Sequence, residues 1–181
     1  MYTQSKFCDE EKAGRDAVSG VDAWENTPDG SDFLSHFSLR EKELLSVSMK
    51  KLEQLEEDNA VKIFIRLFQE NPAYKSLFPK LRFMGDADIV NSTALVAHTQ
   101  LILKMIKTFI NGFQNESTCA VVLKRAETAH RKFDIKPSQV STLFPILMEI
   151  LDISHNETQA AWKKLFETFS IRIEKMKLYS M

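Results

Sequence analysis

The 181-residue chain is poor in several things, and each shortage excludes something. It has two cysteines, Cys8 near the start and Cys119 far downstream. They build neither the disulfide framework of a small secreted domain nor a cysteine metal pair, so they read as buried or idle thiols. Glycine and proline number five each. No glycine-rich phosphate loop and no glycine elbow around a serine can be found, which removes the signatures of the nucleotide-binding sheet folds and of the serine hydrolases. No apolar run approaches the roughly 20 residues a membrane helix needs. The opening MYTQSKFCDEEK also lacks the basic-then-apolar order of a signal peptide, so a cytoplasmic protein without a membrane span is expected. Neither sign of charge dominates: 24 Lys and Arg face 25 Asp and Glu, a net charge of -1, too little basic excess for nucleic acid to be a partner.

The charge that is there is unevenly spread. Residues 1–36 hold eight of the acidic and three of the basic side chains, which leaves residues 37–181 with a net charge of +4. Gly14, Gly20 and Gly30 fall in the same leader, where no apolar period is found. Residues 1–36 therefore read as a flexible acidic extension, with Trp24 and Phe33 as a candidate docking motif, and residues 37–181 as one domain.

From Ser38 the pattern turns helical. Leu39, Leu45, Met49 and Leu52 recur at helical spacing, with Ser38 as N-cap and Glu41 as its capping-box partner. Asp58 or Asn59 is expected to cap a second helix, whose apolar face of Val61, Phe64, Ile65, Leu67 and Phe68 stops before Asn71-Pro72. Pro72 suits the first position of a short turn, and LFPKLRFMG after it is apolar enough to be a buried corner. Residues 87–111 read as a third helix, with Leu95, His98, Ile102, Met105, Ile106 and Phe109 along one stripe. After the Asn111-Gly112 break, Thr118 is expected to cap a segment carrying Val122, Ala126, His130 and Phe133. Pro137 opens a helix through Leu151 that should kink at Pro145 unless it starts later, and Asn156 opens a last one containing Trp162, Leu165, Phe166, Phe169 and Ile173. With no strand-like alternation anywhere, the class is all-α.

Two histidines sit inside apolar stripes. A lone histidine so placed is ordinarily a hydrogen-bonded core residue. His98 and His130, however, stand 32 positions apart (130 − 98) on two helices joined by a polar turn, so both rings can enter one apolar space from opposite sides. That arrangement suits a planar metal macrocycle. Zinc suits it poorly, because no cysteine or carboxylate lies at ligand spacing to complete a set of three or four; haem iron needs only one protein ligand. His36 and His155, at the leader junction and at an interhelix turn, receive no role.

Several segments resemble the globin family, together spanning about Phe37 to Met176. The block IFIRLFQENPAYKSLF is similar to the globin second helix running into its proline turn, with Phe78 six residues after Pro72 matching the phenylalanine that packs on haem. His98 in LVAHTQLILKMI matches the distal histidine, and Ile102 the aliphatic residue that closes the distal pocket. His130 in AETAHRKFDIKP resembles the proximal segment of invertebrate globins, with Ile135 touching haem and Pro137 starting the next helix; AAWKKLFETF is similar to the last helix of nematode-type globins. The chain departs from the family at Met49, where many members have tryptophan, and at Phe64, where a tyrosine can donate a hydrogen bond to bound oxygen.

The resemblance implies a globin fold of about six to eight helices around a pocket for haem b (iron protoporphyrin IX). His130 would be the proximal iron ligand and His98 the distal residue and possible second ligand. Phe64, Phe78, Ile102, Ile106 and Ile135 would wall the cofactor. It also implies oxygen or another small gaseous ligand, or electron exchange with a redox partner protein through a bis-histidyl iron, and no dedicated catalytic motif beyond slow haem redox chemistry. The rival expectation is a haem-free, globin-shaped interaction domain in which both histidines are core residues.

Overall fold

Ser38 starts the first helix through the pair of hydrogen bonds its sequence context implies. The computed structural model describes residues 34–54, 57–130, 133 and 135–178. In it the Glu41 amide donates to the Ser38 hydroxyl at 3.2 Å and the Ser38 amide donates to the Glu41 carboxylate at 2.7 Å, so two of the orphan amides of the helix start are satisfied. Eight α-helices follow among the described residues: α1 (Leu39–Glu53), α2 (Glu57–Glu70), α3 (Asp86–Ile89), α4 (Thr93–Asn111), α5 (Glu116–His130), α6 (Pro137–Ser141), α7 (Leu143–Ile150) and α8 (Asn156–Leu178). Short 3-10 turns occupy Pro72–Leu77 and Gly112–Gln114. The described residues contain no strand and no helix long and apolar enough to cross a membrane.

Two helices organise the packing. The last, α8, lies against α1, α5, α6 and α7, while α4 lies against α1, α2 and α5. Their contact faces follow the apolar period: Trp162, Leu165 and Phe169 on α8 and Leu95, Ile106 and Phe109 on α4 are buried in one core. Each such side chain contributes about 1.5–3 kcal/mol by leaving water. Ion pairs join the layers at the rim, Lys107 of α4 to Glu53 of α1 at 2.8 Å and Lys164 of α8 to Glu41 of α1 at 3.0 Å. Cys119 is buried, its thiol donating to the Phe109 carbonyl at 3.3 Å, and burial pushes its pKa up to about 12. It is held as a protonated thiol.

The structure departs from the sequence expectations at five local points. Leu39 is 85% exposed, because the six residues to Leu45 rotate it well off the buried face. Helix α2 is already running at Glu57, so Asp58 and Asn59 sit inside it rather than capping it, with side chains outside the described residues. The expected helix over 87–111 is two helices: Ser92 accepts from the Leu95 amide and starts α4 afresh after the single turn of α3. Asn115, not Thr118, caps α5; its side-chain oxygen accepts from the Thr118 amide at 3.2 Å. The helix opened by Pro137 ends at Ser141, and Pro145 falls in the first turn of α7, where its missing N–H costs no helical bond. The readings made on residues 1–33, including Cys8, Trp24 and Phe33, and on the Ile173 side chain lie outside the described residues.

The clamp on Glu41 makes a pH prediction. Burial alone would raise this carboxyl, but hydrogen bonds from Ser38 and Lys164 outweigh it and hold the pKa below the ordinary carboxylate value. A depressed carboxylate contributes stability above its unfolded pKa and loses it as pH falls through the folded one. Glu41→Gln, which keeps a capping side chain but drops the charge, should cost about 1 kcal/mol in urea unfolding at pH 7. The gap between the two proteins should close below about pH 4; an equal gap at pH 3 and pH 7 would exclude the electrostatic origin.

Candidate functional site

Helices α4 and α5 are joined only by the turn and cap at 112–115 and pack against each other. His98 stands 13 positions before the end of α4 (111 − 98), and His130 stands 14 positions after the start of α5 (130 − 116). At 1.5 Å per residue both lie about 20 Å from the connection. Both histidines therefore stand toward the ends of their helices that lie away from the connection, and both line one cleft.

Between them runs a cleft of about 790 Å³, lined by both histidines together with Phe78, Ile102 and Ile135. A smaller inner cavity of about 80 Å³ touches the same five residues and adds Phe64 and Ile106. All seven residues singled out from the sequence therefore line one of two adjoining spaces, and five line both. The larger volume falls within the roughly 300–1,000 Å³ of sites that bury a cofactor-sized ligand.

The last turn of α5 fixes the His130 ring. Its Nδ1 lies 2.7 Å from the Ala126 carbonyl. A carbonyl only accepts, so Nδ1 carries the proton and donates; in the neutral form of the ring this bond selects the tautomer whose lone pair is on Nε2. Ala126 also lines the cleft. Its position four residues before the histidine was the sequence signal for this contact, though Ala126 had been read only as part of an apolar stripe.

His98 is held without a polar tether. Its ring meets Phe64 at 5.2 Å and Phe78 at 5.1 Å, both edge to face, and it makes no hydrogen bond among the described residues. Each such aromatic contact is worth about 0.5–1.5 kcal/mol. Burial first, and repulsion from His130 second, lower its pKa to about 4. The imidazole is neutral at pH 7.

Residues beyond the sequence expectation complete the walls. Met105 faces both spaces, and Tyr74 and Gln139 add polar atoms to the inner cavity. Lys80, Lys104 and Arg125 line the outer cleft with exposed side chains. Of the remaining histidines, His155 is exposed, its ring near the Thr158 hydroxyl at 3.3 Å, and His36 packs on Phe37; neither lines the cleft. Among the described residues no group of three His, Cys, Asp or Glu side chains comes together.

A helical bundle of this topology with two histidines facing across an apolar cleft defines a class, and comparison with known proteins identifies it. The sequence matches the globin family over residues 61–173, well over half its length. The chain belongs to the globin family. It is 25% identical over 133 residues to cytoglobin-1 of Oryzias latipes, a match covering 70% of this chain and 75% of that protein. To cytoglobin-2 of Danio rerio it is 28% identical over 116 residues, covering 60% and 65%. Among solved structures, ferric myoglobin of Aplysia limacina superposes with a TM-score of 0.68 at 20% identity, covering 77% of this chain and 98% of that one. A hexacoordinated heme protein from an anhydrobiotic tardigrade superposes with a TM-score of 0.66 at 18% identity, covering 78% and 96%. At these identities the structures speak to the fold.

Proposed function

We propose that the cleft holds one haem, with His130 as the proximal iron ligand and His98 on the opposite side. The observation that carries this reading is the His130 Nδ1–Ala126 carbonyl bond, which commits Nδ1 to donating and leaves Nε2 as the nitrogen that can meet an iron, on a ring lining an apolar cleft of about 790 Å³. A ligating histidine needs this second partner to set its tautomer and orientation. Phe78, Ile102 and Ile135 would flank the macrocycle and limit water. Cys119 lines neither space, and the lining among the described residues suits haem b held without covalent attachment. Bound, the haem would supply an iron that takes oxygen or another small gaseous ligand, or that exchanges electrons with a partner protein.

The chain's own part in that chemistry is argued from His98. The ring is neutral, has no hydrogen bond among the described residues, and is kept in the cleft by Phe64 and Phe78, so none of those residues competes for its nitrogen. It is free to donate a hydrogen bond to a guest or to occupy the iron itself when no guest is present. Phe64 offers no second donor. We read the resting state as bis-histidyl, with His98 regulating access, in keeping with the hexacoordinated tardigrade heme protein of the same fold.

Absorption spectra test both levels. Purified protein, or the apoprotein reconstituted with haemin, should keep an intense Soret band after desalting; failure to take up haemin would favour the haem-free interaction domain. The ferrous, ligand-free form should show sharp, split visible bands. His98→Leu should collapse them to one broad band and raise the apparent affinity for carbon monoxide roughly tenfold or more, since an internal competitor lowers the binding-competent fraction. A single broad band in the unmodified protein would sink the bis-histidyl reading while leaving the haem site standing.

A further inference from the structure

We propose that Lys75 is a positioning residue: by clasping the loop at 78–84 it holds one wall of the cleft and, through Phe78, the ring of His98. Its effect at the iron rests on the haem reading; the clasp itself does not. Lys75 lies in the turn Pro72–Leu77 with its side chain 20% exposed. Its ammonium donates to the Met84 carbonyl, nine positions on, and to the Asp86 carboxylate at 3.0 Å. Lys75, Met84 and Asp86 line neither space, so the clasp stands outside the site. The two bonds are unequal. The Asp86 side chain is 97% exposed, where an ion pair is screened and worth little, whereas the half-buried Met84 carbonyl takes a charged donor, the stronger kind of bond.

The loop that the clasp closes over is otherwise lightly held. Its backbone bonds are single turns: the Leu81 and Arg82 amides donate to the Phe78 carbonyl at 2.9 and 3.0 Å, and the Met84 amide donates to the Leu81 carbonyl at 2.9 Å. Leu81 is buried, but Phe83 is 87% exposed, with the Arg82 guanidinium over its ring. A segment with so few long-range contacts opens before the helices around it. Yet residues 77–81, five in a row, line the outer cleft. The Phe78 ring also packs on Phe64 at 5.8 Å, on Phe68 at 5.1 Å and on His98 at 5.1 Å. Releasing Met84 frees the far end of the loop, and Phe78 then loses its fixed backbone. His98, which has no hydrogen bond among the described residues, loses one of the two phenylalanine edges that keep it in place. Lys75 therefore slows two events, the escape of a planar guest past residues 77–81 and the departure of the His98 ring from its station.

Variants of the full chain test this: Lys75→Met keeps the stem and drops the donor, Lys75→Arg keeps a charged donor, and Asp86→Asn removes the exposed ion pair alone. Without cofactor, amide hydrogen exchange read by mass spectrometry should be several-fold faster over 78–84 in Lys75→Met, with α4 and α5 unchanged. Loaded with haemin, the same variant should release it to excess apomyoglobin several-fold faster than the parent. In the ferrous form, the rate of carbon monoxide binding at saturating gas is set by the departure of His98 and should rise several-fold; a residue serving stability alone would leave that plateau unmoved. Lys75→Arg should restore the parent's behaviour in each measurement, and Asp86→Asn should stay within about twofold of it. Unchanged exchange over 78–84, exchange raised throughout the chain, or an unmoved plateau beside faster loop exchange would each overturn the proposal. A parent that takes up no haemin sinks the haem reading, and hydrogen exchange then decides the clasp by itself. A parent with one broad ferrous band sinks the bis-histidyl reading, and exchange together with haemin release then decides it.

Discussion

His130→Gly should strip the protein of its cofactor, with haemin lost at least a hundredfold faster than from the parent. The magnitude follows from what the ring would do: removing a mere hydrogen-bond partner of a ligating histidine costs roughly 10–100-fold in metal affinity, and here the ligand itself goes. Imidazole added to the variant should restore a Soret band, because the space left behind is bounded by Ala126, Ile135 and the rest of the cleft wall. The substitution also removes the Nδ1 bond to Ala126 and adds a glycine to the last turn of α5. That change costs only about 1 kcal/mol of helix stability, so the far-UV circular dichroism should stay unchanged. Undiminished retention of haemin by the variant, with an unaltered spectrum, would remove His130 from the site.

Trp162→Ala should be the most damaging single change to stability, at about 3–5 kcal/mol. Its side chain is completely buried on α8, and its indole N–H donates to the Ser48 hydroxyl of α1 at 2.8 Å, which in turn donates to the Leu44 carbonyl. Truncation opens a cavity where α8 meets α1 and also leaves the half-buried Ser48 hydroxyl short of a donor. Against a total stability of order 5–15 kcal/mol the loss is severe, and at roughly 2–4 °C per kcal/mol for a protein of this size the Tm should fall by about 10–15 °C. Trp162→Phe should fall between, since it refills most of the volume but not the hydrogen bond. A Tm drop under about 3 °C for the alanine variant would contradict this placement.

Much of the fold was legible because burial repeats with the helix. Leu45, Met49 and Leu52 on α1, Phe64 and Phe68 on α2, and Leu165 and Phe169 on α8 were marked by spacing and are buried. Caps were legible where both partners are local, as at Ser38 and Glu41, and misassigned where several polar residues competed. Asn115 took the cap from Thr118 because its side chain reaches the amide of residue 118 while residue 118 is already inside the turn. The break at Ser92 was missed for a similar reason: an apolar stripe does not record a hydroxyl that starts a helix afresh.

At the site, the sequence supplied the candidates and not their relations. The family resemblance named seven residues, and the fold gathers all of them along two adjoining spaces. Nothing in the order of residues showed that the Ala126 carbonyl would hold the His130 Nδ1 proton, that two phenylalanine edges would hold His98, or that Lys80, Lys104 and Arg125 would line the same cleft.

What the sequence determined by itself was an all-helical chain, the buried face of each long helix, and two histidines on such faces, because those depend on residues within a few turns of one another. The tertiary structure decided that both rings line one cleft and that His98 is driven neutral by burial. Those properties come from atoms distant along the chain, brought together only when α4 and α5 fold back over their short connection.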